Sequence, residues 1–172
     1  MTESSASRKS GIAGETSSKQ SEGIISAISV GFLFILFGSI YVLALPTSLF
    51  EKVVAFFTSL SSRQVPGTSI FLLAPTSPAA HSVFYTAVFQ FCVGLAFLQL
   101  VVLILRLAWN STTAKTAETL GSLVFWSGAA LLSTTFLNVY TTVNTWFAFW
   151  AGILVMMGAS LIARSIVLLL RK

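Results

Sequence analysis

The sequence has few of the side chains that most catalytic chemistry requires. Its 172 residues include no aspartate, one histidine (His81), one cysteine (Cys92) and five glutamates. A metal site usually needs several His, Cys or acidic ligands that converge, and a serine hydrolase needs a base beside its nucleophile. His81 lies in no hydrolase motif, and the sequence contains no glycine-rich phosphate loop. We therefore expect no enzyme activity, no catalytic residues, no metal site and no cofactor.

Charged residues are also scarce. They make up 9% of the chain, whereas hydrophobic residues make up 55%; a soluble domain has about 25% charged residues. So few charges cannot cover a water-exposed globule, and the apolar residues fall into long runs, which indicates a lipid bilayer as the solvent. The net charge of +5 fits loops that meet an anionic leaflet. No basic face with interleaved aromatic residues is present, so we expect no nucleic-acid partner.

Four apolar runs predict an all-α integral membrane protein, a bundle of four transmembrane helices. The predicted spans, numbered one to four, cover residues 24–45, 80–105, 118–137 and 146–163. Each run is long enough for a hydrocarbon core of about 30 Å at about 1.5 Å per residue. Together they make one domain, residues 24–172, after a polar, serine-rich stretch, residues 1–23, that we expect to be a disordered cytoplasmic tail.

The connection between spans one and two predicts an amphipathic helix over residues 48–62. Ser48 and Glu51 have the spacing of a capping box. Apolar residues recur on one helical face and leave Phe56 on the polar side; they are Leu49, Phe50, Val53, Val54, Phe57 and Leu60. The pattern fits a helix that lies in the membrane interface, and it equally fits a surface helix packed on the bundle.

The positive charges predict the orientation in the membrane. Eight of the ten Lys and Arg residues lie in the tail, in the connection between spans two and three, or after span four, and only Lys52 and Arg63 lie on the other side. The positive-inside rule then places both termini in the cytoplasm of a multi-pass plasma-membrane protein. Aromatic residues at the start of span four, from Trp146 to Trp150, are typical of an interfacial belt.

Polar residues in and beside the spans are the candidate functional residues. Gln90 and Gln99 lie within span two, where amides usually form hydrogen bonds between helices and less often line a polar pathway. Glu118 begins span three, and chain lengths put Arg106 and Arg164 near the same depth, so these three residues form a candidate ionic cluster. The alternative is that each charge only complements a helix dipole.

Small residues predict how the helices touch. Glycines spaced as in close helix contacts occur in three of the four spans; they are Gly31, Gly38, Gly121, Gly128 and Gly152. We therefore expect a structural, assembly or accessory subunit that acts through helix–helix contacts, with lipid, a second copy or another membrane protein as partner. The alternative is a small transporter or channel that uses Glu118, Gln90 and Gln99.

Overall fold

Four helices long and apolar enough to cross a membrane dominate the described part of this computed structural model. The structure describes residues 3–44, 48–109 and 111–170, with side chains from residue 23 onward. The four helices are α1 (Glu3–Ala44), α3 (Ser82–Ala108), α4 (Thr113–Phe136) and α5 (Val143–Leu170). They confirm a mostly helical, multi-pass membrane protein.

The observed helices run past several of the predicted span boundaries. The apolar part of α1 covers Gly23–Ala44; residue 45, the last of predicted span one, lies outside the described residues, as do residues 171–172. Helix α1 as assigned also includes residues 3–22, which belong to the predicted disordered tail. The disorder of this tail stays a prediction. Helix α5 continues to Leu170 because the apolar residues after Arg164 keep the helical pattern.

Helix α4 begins earlier than span three was predicted to begin. It starts at Thr113, five residues before Glu118, and its first turn contains no acidic residue. The stretch from Thr113 to Ala117 has no glycine or proline to stop a helix and includes two alanines and a lysine, which favour one. The expectation that Glu118 opens the helix is therefore wrong, and the helix dipole acts on this carboxylate less than it would in a first turn.

The helices pack side by side in the order α1, α3, α4, α5. Helix α1 crosses α3 in antiparallel fashion, with Phe32 opposite Phe97 and Phe37 opposite Phe91 at centroid distances of 6.1 and 5.2 Å. The interfaces of α4 with α3 and with α5 are the most extensive between helices in the described residues. The four helices thus form an open row in which α1 and α5 are the end members.

A small cap covers one end of the row. It consists of α2 (Leu49–Thr58), a hairpin of β1 (Leu60–Gln64) and β2 (Phe71–Pro75), and a 3₁₀ turn (Pro78–His81). The two strands are antiparallel, with Leu60 opposite Pro75 and Gln64 opposite Phe71. Gly67 has a φ of +75° in the connecting loop, a conformation that glycine adopts without steric cost.

The predicted helix over residues 48–62 is shorter than expected and lacks its capping box. Helix α2 ends at Thr58, and residues 60–64 form a strand instead. The Ser59 hydroxyl donates to the carbonyl of Phe56 at 2.7 Å, the kind of local bond by which serine competes with helix continuation. Ser48 has a left-handed φ of 50° and makes no side-chain cap.

Phe56, which the sequence pattern puts on the polar side of α2, is the residue that attaches the cap. It is 6% exposed and stacks on Phe84 of α3 with ring centroids 4.4 Å apart. Its ring also lies 5.7 Å from that of Trp146 in α5. Together with Tyr85 these residues form the core of the cap, so α2 packs on the membrane helices.

Two residues of the predicted apolar face of α2 are exposed instead. Phe50 and Phe57 are 74% and 60% exposed. The start of α5 divides in the same way, because Trp146 and Phe149 are buried in the core of the cap whereas Trp150 is half exposed. The predicted aromatic belt at the start of α5 is therefore partly core, at Trp146 and Phe149, and partly exposed, at Trp150.

Candidate functional site

A polar cavity of about 380 Å³ lies between α1, α3 and α4 at the end of the row remote from the cap. Apolar residues of α1 and α3 line its inner part, and polar side chains from all three helices line the rest. The polar lining residues are Ser26, Ser29, Gln99, Arg106, Glu118, Thr119 and Ser122. Three residues that the sequence singles out, Gln99, Arg106 and Glu118, thus share one cavity.

Arg106 joins the end of α3 to the beginning of α4. Its Nη1 donates to Thr119 Oγ1 at 2.6 Å and also to the carbonyl of Lys115. Thr119 is 3% exposed and donates in turn to the same Lys115 carbonyl at 3.0 Å. Hydrogen bonds from a charged donor are stronger than neutral ones. The guanidinium therefore fixes the two helix ends relative to each other.

Glu118 lies beside this network on a more exposed part of α4. It is on the cavity wall with Ser122, one turn further along the helix. On its other side, Gly121 packs against α5, where the Cβ of Arg164 is 3.6 Å from the position that a Cβ on Gly121 would take. Arg106 thus shares a cavity with Glu118, Arg164 packs on α4 about one turn from it, and an ion pair of Glu118 with Arg164 stays a prediction.

Gln90 belongs to a different part of the protein. It lies nine residues before Gln99 on α3, about 13 Å closer to the cap at 1.5 Å per residue, and it is not among the residues that line the polar cavity. Its side chain is only partly buried. The structure therefore does not bring Gln90 together with Gln99 and Glu118.

Four polar lining residues were not recognised from the sequence: Ser26, Ser29, Thr119 and Ser122. Their spacing was a usable signal, because Ser26 and Ser29, like Thr119 and Ser122, are three residues apart and so share a helix face. Serine is common in membrane helices, where its hydroxyl can bond to the preceding turn. Ser29 does so, donating to the carbonyl of Ile25 at 2.8 Å.

The glycines of α4 and α5 lie where the two helices touch. A Cβ on Gly121 would be 3.1 Å from the carbonyl oxygen of Ser160, and one on Gly152 would be 2.8 Å from a methyl of Leu132. A Cβ on Gly128 would collide with Met156. A larger side chain at any of these positions would force the helices apart or displace its neighbour.

The two glycines predicted to pack in α1 have no such neighbours. Among the residues that the structure describes, a Cβ on Gly31 or on Gly38 would meet no atom of another residue within 4 Å. The side of α1 that packs on the row carries Ile25, Leu33 and Ile40, whereas Gly31 and Gly38 lie about half a turn away, at 100° per residue. The described part of the chain therefore makes no close contact at these two glycines, because α1 is an end member of the row.

Within the described residues, no group of three or more His, Cys, Asp or Glu side chains lies close enough to hold a metal ion. Comparison of the chain with protein-family models, with curated proteins and with solved structures finds no match.

Proposed function

We propose that this membrane protein is a non-catalytic structural or accessory component that assembles through the outer face of α1 with another transmembrane helix. The outer face is the side of α1 directed away from α3, which carries Ala27, Gly31, Phe34, Gly38 and Tyr41. The single observation that supports the proposal is the open space beside the two glycines of this face, where a Cβ would have no atom of the described residues within 4 Å.

The physical reason lies in how helices associate in lipid. Lipid chains are as apolar as leucine, so burial of apolar surface drives association weakly there, and close packing of small residues contributes instead. Ala27 and Gly31 have the small-xxx-small spacing that allows two backbones to approach. Phe34 and Tyr41, 75% and 56% exposed, would flank the contact and add packing area.

The open row supports the same proposal. Helices α1 and α5 each have one neighbouring membrane helix with an extensive interface in the described residues. An end helix whose free side carried only large apolar residues would be suited to lipid alone. The free side of α1 instead carries glycines, which expose backbone and provide little contact with disordered chains.

The test is a pair of leucine substitutions on the outer face. Gly31→Leu with Gly38→Leu should abolish a homo-oligomer seen by light scattering in mild detergent, or the recovery of a stoichiometric partner by affinity purification. Gly158→Leu in α5 is the matched control, because a Cβ there also meets nothing within 4 Å. At all three positions an added Cβ meets no described atom within 4 Å, so the variants are matched in their surroundings within the chain. Unchanged assembly of the double variant would contradict the proposal.

The orientation belongs to this proposal. The distribution of Lys and Arg favours cytoplasmic termini in a plasma membrane, which would put the cap outside and the polar cavity at the cytoplasmic boundary. The outer face of α1 would then face the hydrocarbon core, where a partner helix could pack on it either parallel or antiparallel to α1.

A second candidate function, transport of a small solute, is favoured by the shared polar cavity of Gln99, Arg106 and Glu118. Intramembrane polar residues that converge on a cavity often mark a pathway. The test is flux of protons or cations into vesicles that contain the purified protein, with Glu118→Gln as the variant. Flux that this change abolishes, with stability retained, would favour transport over assembly.

A further inference from the structure

An apolar groove of about 830 Å³ lies between the cap and the membrane helices. Its cap side is formed by residues of α2 and β2 such as Phe57 and Leu72, and its membrane side by Val88 of α3 and by Trp150 and Ile153 of α5. The volume is within the range of about 300–1,000 Å³ that is usual for small-molecule sites. The groove shares no lining residue with the polar cavity.

We propose that this groove binds one hydrocarbon chain of a membrane phospholipid. The membrane side of the groove belongs to helices long and apolar enough to cross a bilayer, so in a membrane the groove would adjoin the surrounding lipid. The ligand class follows from the lining, in which aromatic and aliphatic side chains predominate and polar groups are few.

The exposed apolar side chains of the cap support an occupant from the lipid. Phe57, Phe71 and Leu73 line the groove on the cap and are 60%, 62% and 65% exposed, although α2 and β2 lie outside the four candidate spans. Apolar patches of this kind mark contact sites rather than wetted surface. A chain that extended from the bilayer along the groove would cover all three.

A peptide strand is a poorer occupant because the edge of the hairpin is already engaged. Strand addition requires free backbone groups along the edge of β2. The carbonyl of Leu73 accepts a hydrogen bond from Trp146 Nε1 at 3.2 Å, so one backbone acceptor of β2 is already occupied by a side chain of α5. A hydrocarbon chain needs no hydrogen bonds and fits the same space.

The charge of the hairpin fits the phosphate of the same lipid. Arg63 is directly opposite Leu72 in the register of β1 and β2, and side chains of directly opposite residues share one face of a sheet. Leu72 lines the groove. Arg63 does not itself line the groove, so we expect its guanidinium to meet the phosphate outside the groove, beside the hairpin, where it would bind phosphate oxygens well.

The experiment uses the full-length protein in detergent with phosphatidylglycerol that carries a photoreactive group on one acyl chain. Light-induced labelling should map to groove residues of the cap, α3 or α5. Phe57→Glu should reduce labelling by about tenfold or more, because a carboxylate would enter the apolar lining. Phe50→Glu is the matched control, since Phe50 is on the same helix and even more exposed but does not line the groove.

Further variants keep the test decisive. Leu72→Gln, on the hairpin, should also lose labelling, which guards against a local effect of the first change on α2. Arg63→Gln should keep chain labelling of an uncharged diacylglycerol probe and lose the preference for the phosphatidylglycerol probe. Equal labelling of Phe57→Glu and Phe50→Glu, or label that maps outside the groove, would overturn the proposal.

Discussion

Trp146 Nε1 donates a hydrogen bond to the carbonyl oxygen of Leu73 at 3.2 Å, joining two residues 73 positions apart in the chain. The bond attaches strand β2 of the cap to the first turn of α5. Trp146 is 6% exposed and also contacts Phe56 of α2. One side chain thus connects the last membrane helix to α2 and to the hairpin of the cap.

Replacing Trp146 should separate the two roles of its side chain. Trp146→Phe keeps a ring in the core but removes the donor, and we expect it to lower the free energy of unfolding by about 1–3 kcal/mol. Trp146→Ala also leaves a cavity and should cost about 3–5 kcal/mol. Reversible unfolding in detergent measures both losses. The control is Trp150→Phe, at a half-exposed position one turn along α5, which should change the free energy of unfolding little. An equal loss at Trp150 would contradict this account.

Adjacent phenylalanines in α2 should differ sharply in their contribution to stability. Phe56→Ala removes the ring that stacks on Phe84 and should cost about 3–5 kcal/mol. Phe57→Ala, at a position that is 60% exposed, should cost less than about 1 kcal/mol. The same unfolding measurement compares the two, and a larger loss at Phe57 would mean that α2 packs through its other face.

The pair of Glu118 and Arg164 can be tested by a double-mutant cycle. Arg164 packs at Gly121, one turn from Glu118 on α4, so the two side chains are within reach. Glu118→Gln and Arg164→Gln, alone and together, should show a coupling of about 1 kcal/mol in unfolding experiments. Coupling near zero would leave each charge to interact with its own surroundings.

The hydrogen bond between Arg106 and Thr119 should contribute more to the free energy of unfolding than the pair of Glu118 and Arg164. The bond between Arg106 and Thr119, at 2.6 Å, is partly buried, and loss of the Thr119 hydroxyl would leave Nη1 of Arg106 with the Lys115 carbonyl but without this second acceptor. Thr119→Val keeps the shape of the side chain, and we expect it to cost about 1–3 kcal/mol. Thr113→Val, near the start of α4, serves as the control; an equal effect of both changes would refute a specific role for the Arg106 bond.

Labelling of single cysteines would decide the orientation. In a Cys92→Ser background, Thr68→Cys in the cap and Thr142→Cys between α4 and α5 should react with a membrane-impermeant thiol reagent added to intact cells. Thr113→Cys, at the opposite end of the row, should react only after the membrane is permeabilised. Labelling of position 113 from outside would invert the proposed topology.

The sequence was sufficient for the four membrane helices because their cause is local. A run of about 20 apolar residues must place its backbone in lipid, where only a helix satisfies every N–H and C=O within the segment. The boundaries were less predictable, since nothing in the charge pattern showed that α4 begins at Thr113 before Glu118 or that α5 continues past Arg164.

The meeting of Arg106, Gln99 and Glu118 at one cavity was predictable only in part. Helix lengths put Arg106 and Glu118 at the same end of the protein, but which residues share a cavity depends on how each helix is rotated about its axis. That rotation places Ser26 and Ser29 of α1 in the lining and leaves Gln90 out.

What the sequence by itself determined is the number of spans and the chemistry of each position; what tertiary structure decided is which positions meet. Gly31 and Gly121 are the same residue in similar apolar surroundings, yet one faces open space and the other faces Ser160. Phe56 and Phe57 are also the same residue type, at adjacent positions, but it is the ring of Phe56 that packs against Phe84 and Trp146. The reason is that a hydropathy pattern shows only that a side chain prefers an apolar environment. The lipid and the protein core are both apolar, so only the packing of the helices decides which of the two environments a side chain meets.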